Sequence, residues 1–196
     1  GGNDPKTGEY YVYMETFGGG SGARFNKDGL DCVQVHMSNT SNLPIESMEV
    51  EFPYMVEQYT LVQDSGGPGK FRGGLSMMKD IRVLGHSSEF SVKADRQKMP
   101  PWGLFGGKPG LPGQIIMNPD TSEAVVIDSK KSGTPLKENG VLRCRMPGAG
   151  GYGDPLERER DKVIYDLEEG YISPESAVRD YGMTKEELKK VHVFQG

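Results

Sequence analysis

Of the 28 glycines in this 196-residue chain, 25 fall before residue 154. Glycine weakens the interior of a helix or strand, and it is favoured where the backbone turns tightly or approaches another backbone closely. Short strands punctuated by turns are therefore expected in residues 1–153. The charge divides at the same place: residues 154–196 hold 7 basic and 11 acidic side chains, whereas residues 1–153 hold 16 and 17. Two parts follow, a glycine-punctuated body (1–153) and a charged, helical C-terminal extension packed on it (154–196).

The body reads as strands. "YYVYMET" (10–16) is aromatic and β-branched, as strands prefer. "LDCVQVHM" (30–37) alternates, with Leu30, Cys32 and Gln34 on one face and Val33, Val35 and Met37 on the other. "EQYTLVQD" (57–64), "LSMMKDIRVLG" (75–85) and "SEFSVKAD" (88–95) follow at short spacing, with "GHS" (85–87) as a hairpin turn between the last two. "GQIIMN" (113–118) and "EAVVID" (123–128) pair around the turn residues "PDTS", and "GVLRCRM" (140–146) closes the set. The fold class expected is α+β: a β-rich, mostly antiparallel body with a cluster of short C-terminal helices. Without long helices between the strands, a doubly wound sheet is excluded.

Start and stop signals define the extension. Asp154 caps a helix that has Pro155 at its first position and Glu157 three residues after the cap, a capping box. Val163, Ile164 and Leu167 form its apolar stripe, and Gly170 ends it. Ser173 and Pro174 begin a second helix that stops at Gly182, and Thr184 with Glu187 caps a third.

A net charge of -5 argues against sequence-independent nucleic-acid binding and against a polybasic membrane contact. No apolar run approaches the roughly 20 residues that span a bilayer, and "GGNDPKTGEYY" lacks the apolar stretch of a signal peptide. Cys32 and Cys144 are too few for a disulfide framework and lack zinc spacing. The expectation is a cytoplasmic protein with both thiols reduced and buried.

Several segments carry candidate chemistry. "DSGGPGKFRGG" (64–74) is not a nucleotide loop, because Lys70 is followed by Phe71 and no helix follows. Two readings remain for it: an anion nest with Lys70 and Arg72, or a tight connection between strands. "GGGSGAR" (18–24) lacks the strand–turn–helix context that would make Ser21 a nucleophile. "VHMSNTSNLPIESMEVEFP" (35–53) sets His36, Asn39, Thr40, Asn42 and Glu46 beyond an apolar strand, where functional side chains concentrate. There His36 and Glu46 are the candidate catalytic groups and Asn39 a substrate contact, with Arg72 as an anion contact. No metal ligand is assigned, since His36, His86 and His192 are far apart in sequence. "MPPWGLFGGKPGLPG" (99–113) holds the single tryptophan, Trp102, which either lines a pocket, docks a partner or plugs one end of the sheet.

Taken in order, "ETFGGGSGAR", "DGLDCVQVHMSNTSNLPIESMEVEFP", "DSGGPGKFRGG", "PWGLFGGKPG" and "GAGGYGDPLERERDKVIYDLEEGYISPESAVRDYGM" resemble the hydantoinase B/oxoprolinase family over nearly the whole chain. That family includes the B-type subunits of N-methylhydantoinase, the C-terminal half of 5-oxoprolinase, and acetone and acetophenone carboxylase subunits. The resemblance implies ATP-dependent ring-opening hydrolysis of a cyclic amide, of hydantoin or 5-oxoproline type. It also implies an A-type partner that binds ATP and magnesium. The match is to the C-terminal portion of the B-type subunit, so the remainder of that subunit is a second implied partner. Any divalent metal is expected in that remainder, with no cofactor in this chain and no catalysis by this chain alone. Ketone carboxylation and a non-catalytic assembly role are the alternatives, and carbohydrate binding through Trp102 is a more distant one.

Overall fold

The computed structural model describes residues 1–34 and 40–191. Nine strands and four α-helices follow one another as β1 (Gly2–Asn3), β2 (Tyr10–Tyr11), α1 (Ile45–Glu51), β3 (Tyr54–Val62), β4 (Ser76–Val83), β5 (Ser88–Lys93), β6 (Gln114–Met117), β7 (Val125–Ile127), β8 (Lys130–Leu136), β9 (Val141–Arg145), α2 (Arg160–Glu168), α3 (Pro174–Tyr181) and α4 (Lys185–Leu188). The strands form two sheets, in the orders β2-β1-β5-β8 and β3-β4-β9-β6-β7. Every strand pairing in them is antiparallel.

The core lies between the sheets. Tyr54, Ile81 and Val83 of the five-stranded sheet meet Leu136 and Phe90 of the four-stranded one, and Met48 of α1 is fully buried among them. A second cluster around Ile115, Ile127 and Cys144 shares Phe17, Phe90, Met117 and Leu142 with the first, so the interior is continuous.

The expected β-rich α+β class holds, with local departures. The segment 85–87 is not a hairpin: β4 pairs with β3 and β9, while β5 pairs with β1 and β8. Gly85, at φ 71, instead turns the chain from one sheet into the other. Strand β8 carries little β-propensity in "KKSGTPL", but it lies at a sheet edge, where Pro135 leaves no interior ladder bond unmade. Residues 10–17 alternate inward and outward as a strand does, yet only Tyr10 and Tyr11 belong to a sheet.

The extension departs at its first helix. Asp154 does cap, accepting from the Leu156 N–H at 2.9 Å, but Glu157 pairs with Lys70 instead of closing a capping box. A single 3-10 turn (155–157) follows, the chain extends at Arg158 (ψ 132), and α2 begins only at Arg160. The later signals hold. Gly170 adopts φ 70, Ser173 caps α3, Gly182 ends it in the left-handed region, and Thr184 with Glu187 makes both halves of a capping box. Val163, Leu167, Ile172, Ala177, Tyr181 and Met183 close a separate small core. Among the described residues, no helix is long and apolar enough to cross a membrane.

Candidate functional site

The glycine loops do converge, but as packed backbone and not as a cleft. The Gly74 N–H donates to Ser21 O (2.9 Å), Gly67 to Ala149 O (2.7 Å) and Ala149 to Gly74 O (3.0 Å), which joins loops 18–24, 65–74 and 147–153. A Cβ on Gly73 would fall on Ala149 O, and one on Gly148 on Ser65 O, so side chains are excluded from this seam. The residues of the 64–74 loop do not fit the phosphates of ATP. The N–H groups of Ser65, Gly67, Lys70, Phe71, Gly73 and Gly74 donate to backbone carbonyls, and that of Arg72 donates to Asp28 Oδ1. The loop is therefore a tight connection, not an anion nest. Ser21 is buried, and its Oγ accepts from the Leu30 N–H at 2.7 Å.

Arg72, the expected anion contact, meets anions of its own chain. Its guanidinium reaches Asp31 (3.2 Å), Asp166 (3.4 Å) and the Gly73 carbonyl (2.9 Å), and it is 3% exposed. Arg158, freed by the break before α2, bridges Asp28 (2.7 and 2.9 Å) and Asp166 (2.8 Å). Burial works to raise the Asp28 carboxyl, but the hydrogen bond and charge of Arg158 outweigh it and hold that group below the ordinary aspartate value. These two arginines and three aspartates tie the 28–31 loop, the glycine seam and the extension into one unit. Removing either arginine would leave the buried Asp166 with one of its two cations, and would take from Asp31 or Asp28 its guanidinium partner.

A second buried charge lies on the core face of β4. Lys79 is 1% exposed and pairs with both oxygens of Glu15, at 2.9 and 3.2 Å. Met48 Sδ of α1 lies 3.8 Å from the ammonium, and the rings of Phe17 and Tyr59 lie 5.6 and 5.7 Å from it. The Tyr13 hydroxyl donates to the same Glu15. Beside this pair, Tyr59 gathers the two sides of the 35–39 segment. Its hydroxyl accepts from Asn42 Nδ2 at 2.7 Å, and the Cys32 thiol is near enough to influence its phenol. Burial, with Cys32 and Glu15 nearby, pushes the Tyr59 phenol up to about 12. Burial also raises both thiols, that of Cys144 to about 12. Both cysteines are then neutral thiols near pH 7, unsuited to nucleophilic attack.

His36 and Asn39 lie outside the described residues. Glu46 stands exposed in the first turn of α1, on the same helix that buries Met48 against Lys79. Lys79, Glu15 and Tyr59 were not singled out from sequence. The available signal was a lysine in the middle of the apolar run "LSMMKDIRV", where a solvated face would place its neighbours differently. Among the described residues, no three His, Cys, Asp or Glu side chains are grouped to hold a metal ion.

Comparison with known proteins decides the lineage of this arrangement. The sequence pattern described as Hydantoinase B/oxoprolinase matches residues 1–155. The chain belongs to the hydantoinase B/oxoprolinase family. It is 39% identical over 176 residues to the putative D-/L-hydantoinase B-type subunit of Pseudomonas sp. (strain NS671), covering 89% of this chain and 30% of that protein. It is 32% identical over 199 residues to the caprolactamase beta subunit of Pseudomonas jessenii, covering 93% and 33%. With the 5-oxoprolinase of Dictyostelium discoideum it shares 33% identity over 154 residues, covering 79% and 12%. Among solved structures, the fold is similar to that of the ATP-dependent caprolactamase from Pseudomonas jessenii, with a TM-score of 0.73 at 22% identity over 86% of this chain and 30% of that one. A nucleotide-free acetone carboxylase gives 0.69, also at 22% identity, over 85% and 26%. This member of the family thus spans about a third or less of the length of these relatives.

Proposed function

We propose that the chain acts as the C-terminal part of a B-type subunit in the ATP-dependent, ring-opening hydrolysis of a cyclic amide of hydantoin or 5-oxoproline type. In this reading it works in the cytoplasm with an A-type partner that binds ATP and magnesium and with the remainder of the B-type subunit. The observation that carries the reading is the family match over residues 1–155, joined to relatives above 30% identity that include a putative hydantoinase subunit, a 5-oxoprolinase and a caprolactamase subunit. The likeness to acetone carboxylase is one of fold, so ketone carboxylation has less support than hydrolysis.

Within that assembly, the site we propose centres on the corner at Tyr59. Cys32 and Asn42, on either side of the 35–39 segment, both lie near Tyr59, which supports a role for His36 as acid–base group and Asn39 as substrate contact. Glu46 is the second candidate acid–base group. The buried Lys79–Glu15 pair gives the corner a rigid floor. Arg72 acts through its internal carboxylates and holds the seam in place. Residues 154–196 serve as an extension clamped to the body, as the Arg158–Asp28 and Lys108–Asp180 pairs (both 2.7 Å) suggest.

The test is ATP-dependent ring opening by the complex purified through this chain. His36→Ala should lower kcat by about 100-fold or more, the usual scale of acid–base catalysis. An unchanged kcat removes His36 from the site. ATP turnover that requires a ketone and bicarbonate instead of a cyclic amide would replace hydrolysis by carboxylation.

A further inference from the structure

The loop of residues 101–110 displays large apolar side chains on a backbone that cannot yield. Leu104 N–H donates to Gly151 O (2.9 Å), Lys108 N–H to Pro68 O (2.7 Å), Gly151 N–H to Lys108 O (3.0 Å) and Gly153 N–H to Leu104 O (3.0 Å). Yet Trp102 is 64%, Leu104 49% and Phe105 76% exposed, so Trp102 is no plug over the sheet. Burial in this chain does not explain these side chains.

The turn at the tip adds an independent observation. Gly107 N–H donates to Leu104 O at 2.9 Å, and the two central residues, Phe105 and Gly106, have φ of 51 and 94. That is a type I′ turn, whose first central position favours Asn, Asp or Gly. Phe105 is the one aromatic residue in the left-handed region among the described residues. A bulky side chain there is strained, and strain of this kind concentrates at functional surfaces. Its contact with Tyr152, at 5.0 Å between ring centroids, leaves most of the ring open.

The geometry points to an interface anchor: Phe105, with Trp102 and Leu104, docks into the polypeptide that corresponds to the other two-thirds of a B-type subunit. This rests on the proposed function above. Three observations select that occupant. The hydantoinase and caprolactamase relatives are matched over only 30–33% of their length, so most of their surface lies in sequence this structure does not contain. Rigid aromatic side chains held on fixed backbone are what buried interface anchors require, since little ordering entropy is lost on docking. Three cations lie around these side chains, with Asp154 exposed beside the tip turn. Arg96 lies 4.6 Å from the Trp102 ring, and Arg24 and Lys27 flank Phe25 (72% exposed), whose turn is tied to the same segment through Ala23 N–H to Gly150 O at 3.1 Å. Among the described residues none of these three cations forms an ion pair with a carboxylate, so the partner's rim should be acidic.

The deciding variant is Phe105→Asn, which suits the turn and removes the anchor. The isolated chain should melt about 2–4 °C higher as the strain is relieved, while the complex purified through this chain should dissociate at least about tenfold more readily on dilution. A lower melting temperature would mean that Phe105 is kept for its packing on Tyr152. Unchanged dissociation would equally overturn the anchor. A photo-crosslinking benzoylphenylalanine at position 104 identifies the occupant by mass spectrometry. Crosslinks to a polypeptide aligning with the rest of a B-type sequence are expected. Crosslinks to a second copy of this chain, to an A-type polypeptide, or to nothing overturn the assignment. Ring-opening activity is scored separately: its absence with the crosslink intact would sink the functional reading and leave the surface standing.

Discussion

The glycine seam and the C-terminal extension are both closely packed, for opposite reasons. In the seam, loops 18–24, 65–74, 101–110 and 147–153 lie backbone against backbone, and order comes from side chains that are missing. In the extension, three short helices share a small apolar core around Leu167 and Ala177, and α3 and α4 are held by side-chain caps. Close approach tolerates no added atom, whereas a capped amphipathic helix tolerates most changes on its outer face. The same chain should therefore respond very differently to equally small substitutions.

Gly73→Ala is the harshest test of that contrast. The new Cβ meets the Ala149 carbonyl, a backbone atom held by the rest of the seam, so the cost should exceed the about 1–3 kcal/mol of ordinary overpacking. We expect insoluble or unfolded protein, whereas Gly22→Ala, with nothing within 4 Å, should stay within about 0.5 kcal/mol of the parent in urea melts. Equal behaviour of the two would abolish the distinction between the regions. Lys79→Met comes next, at about 3–5 kcal/mol in the same melts, because Glu15 would be left charged and buried without its counter-cation, with the Tyr13 hydroxyl still donating to it. Adding Glu15→Leu should recover much of that loss, and a failure to recover would show that the pair contributes more than charge balance. Ser173→Ala is the mildest. It removes the cap on α3 and should cost about 1 kcal/mol, seen as faster amide exchange over 174–181 with the sheets unchanged.

What could be read before the structure follows the same division. The helices of the extension were legible because caps, Pro and Gly are local signals, each acting within four residues. Their one failure, the helix start at 155, has a distant cause: Arg158 leaves the helical path to meet Asp28, 130 residues away in sequence. The strands were legible where β-branched residues cluster, as in β7 (Val125, Val126, Ile127). Strand β8 was not, because its place at the edge comes from its neighbour β5 and not from its own residues. Of the candidate site, the 35–46 region was visible as a run of polar residues, whereas the strand expected before it is, in its described part, a single bridge from Val33 to Gly19 next to a Cys32 at φ 48. The floor of the site was not visible, since Glu15 and Lys79 are joined only by the packing of residues 64 positions apart.

The α+β class, the family and the caps of α3 and α4 were legible locally, because turn chemistry, strand composition and motif order are written in neighbouring residues. Only the tertiary structure decided that the glycine loops are packing surfaces and not anion cradles. It likewise decided that Arg72 faces its own chain's carboxylates and that Phe105 is held open in a strained turn. Each depends on which distant atoms a backbone group or side chain meets, and no local pattern encodes that.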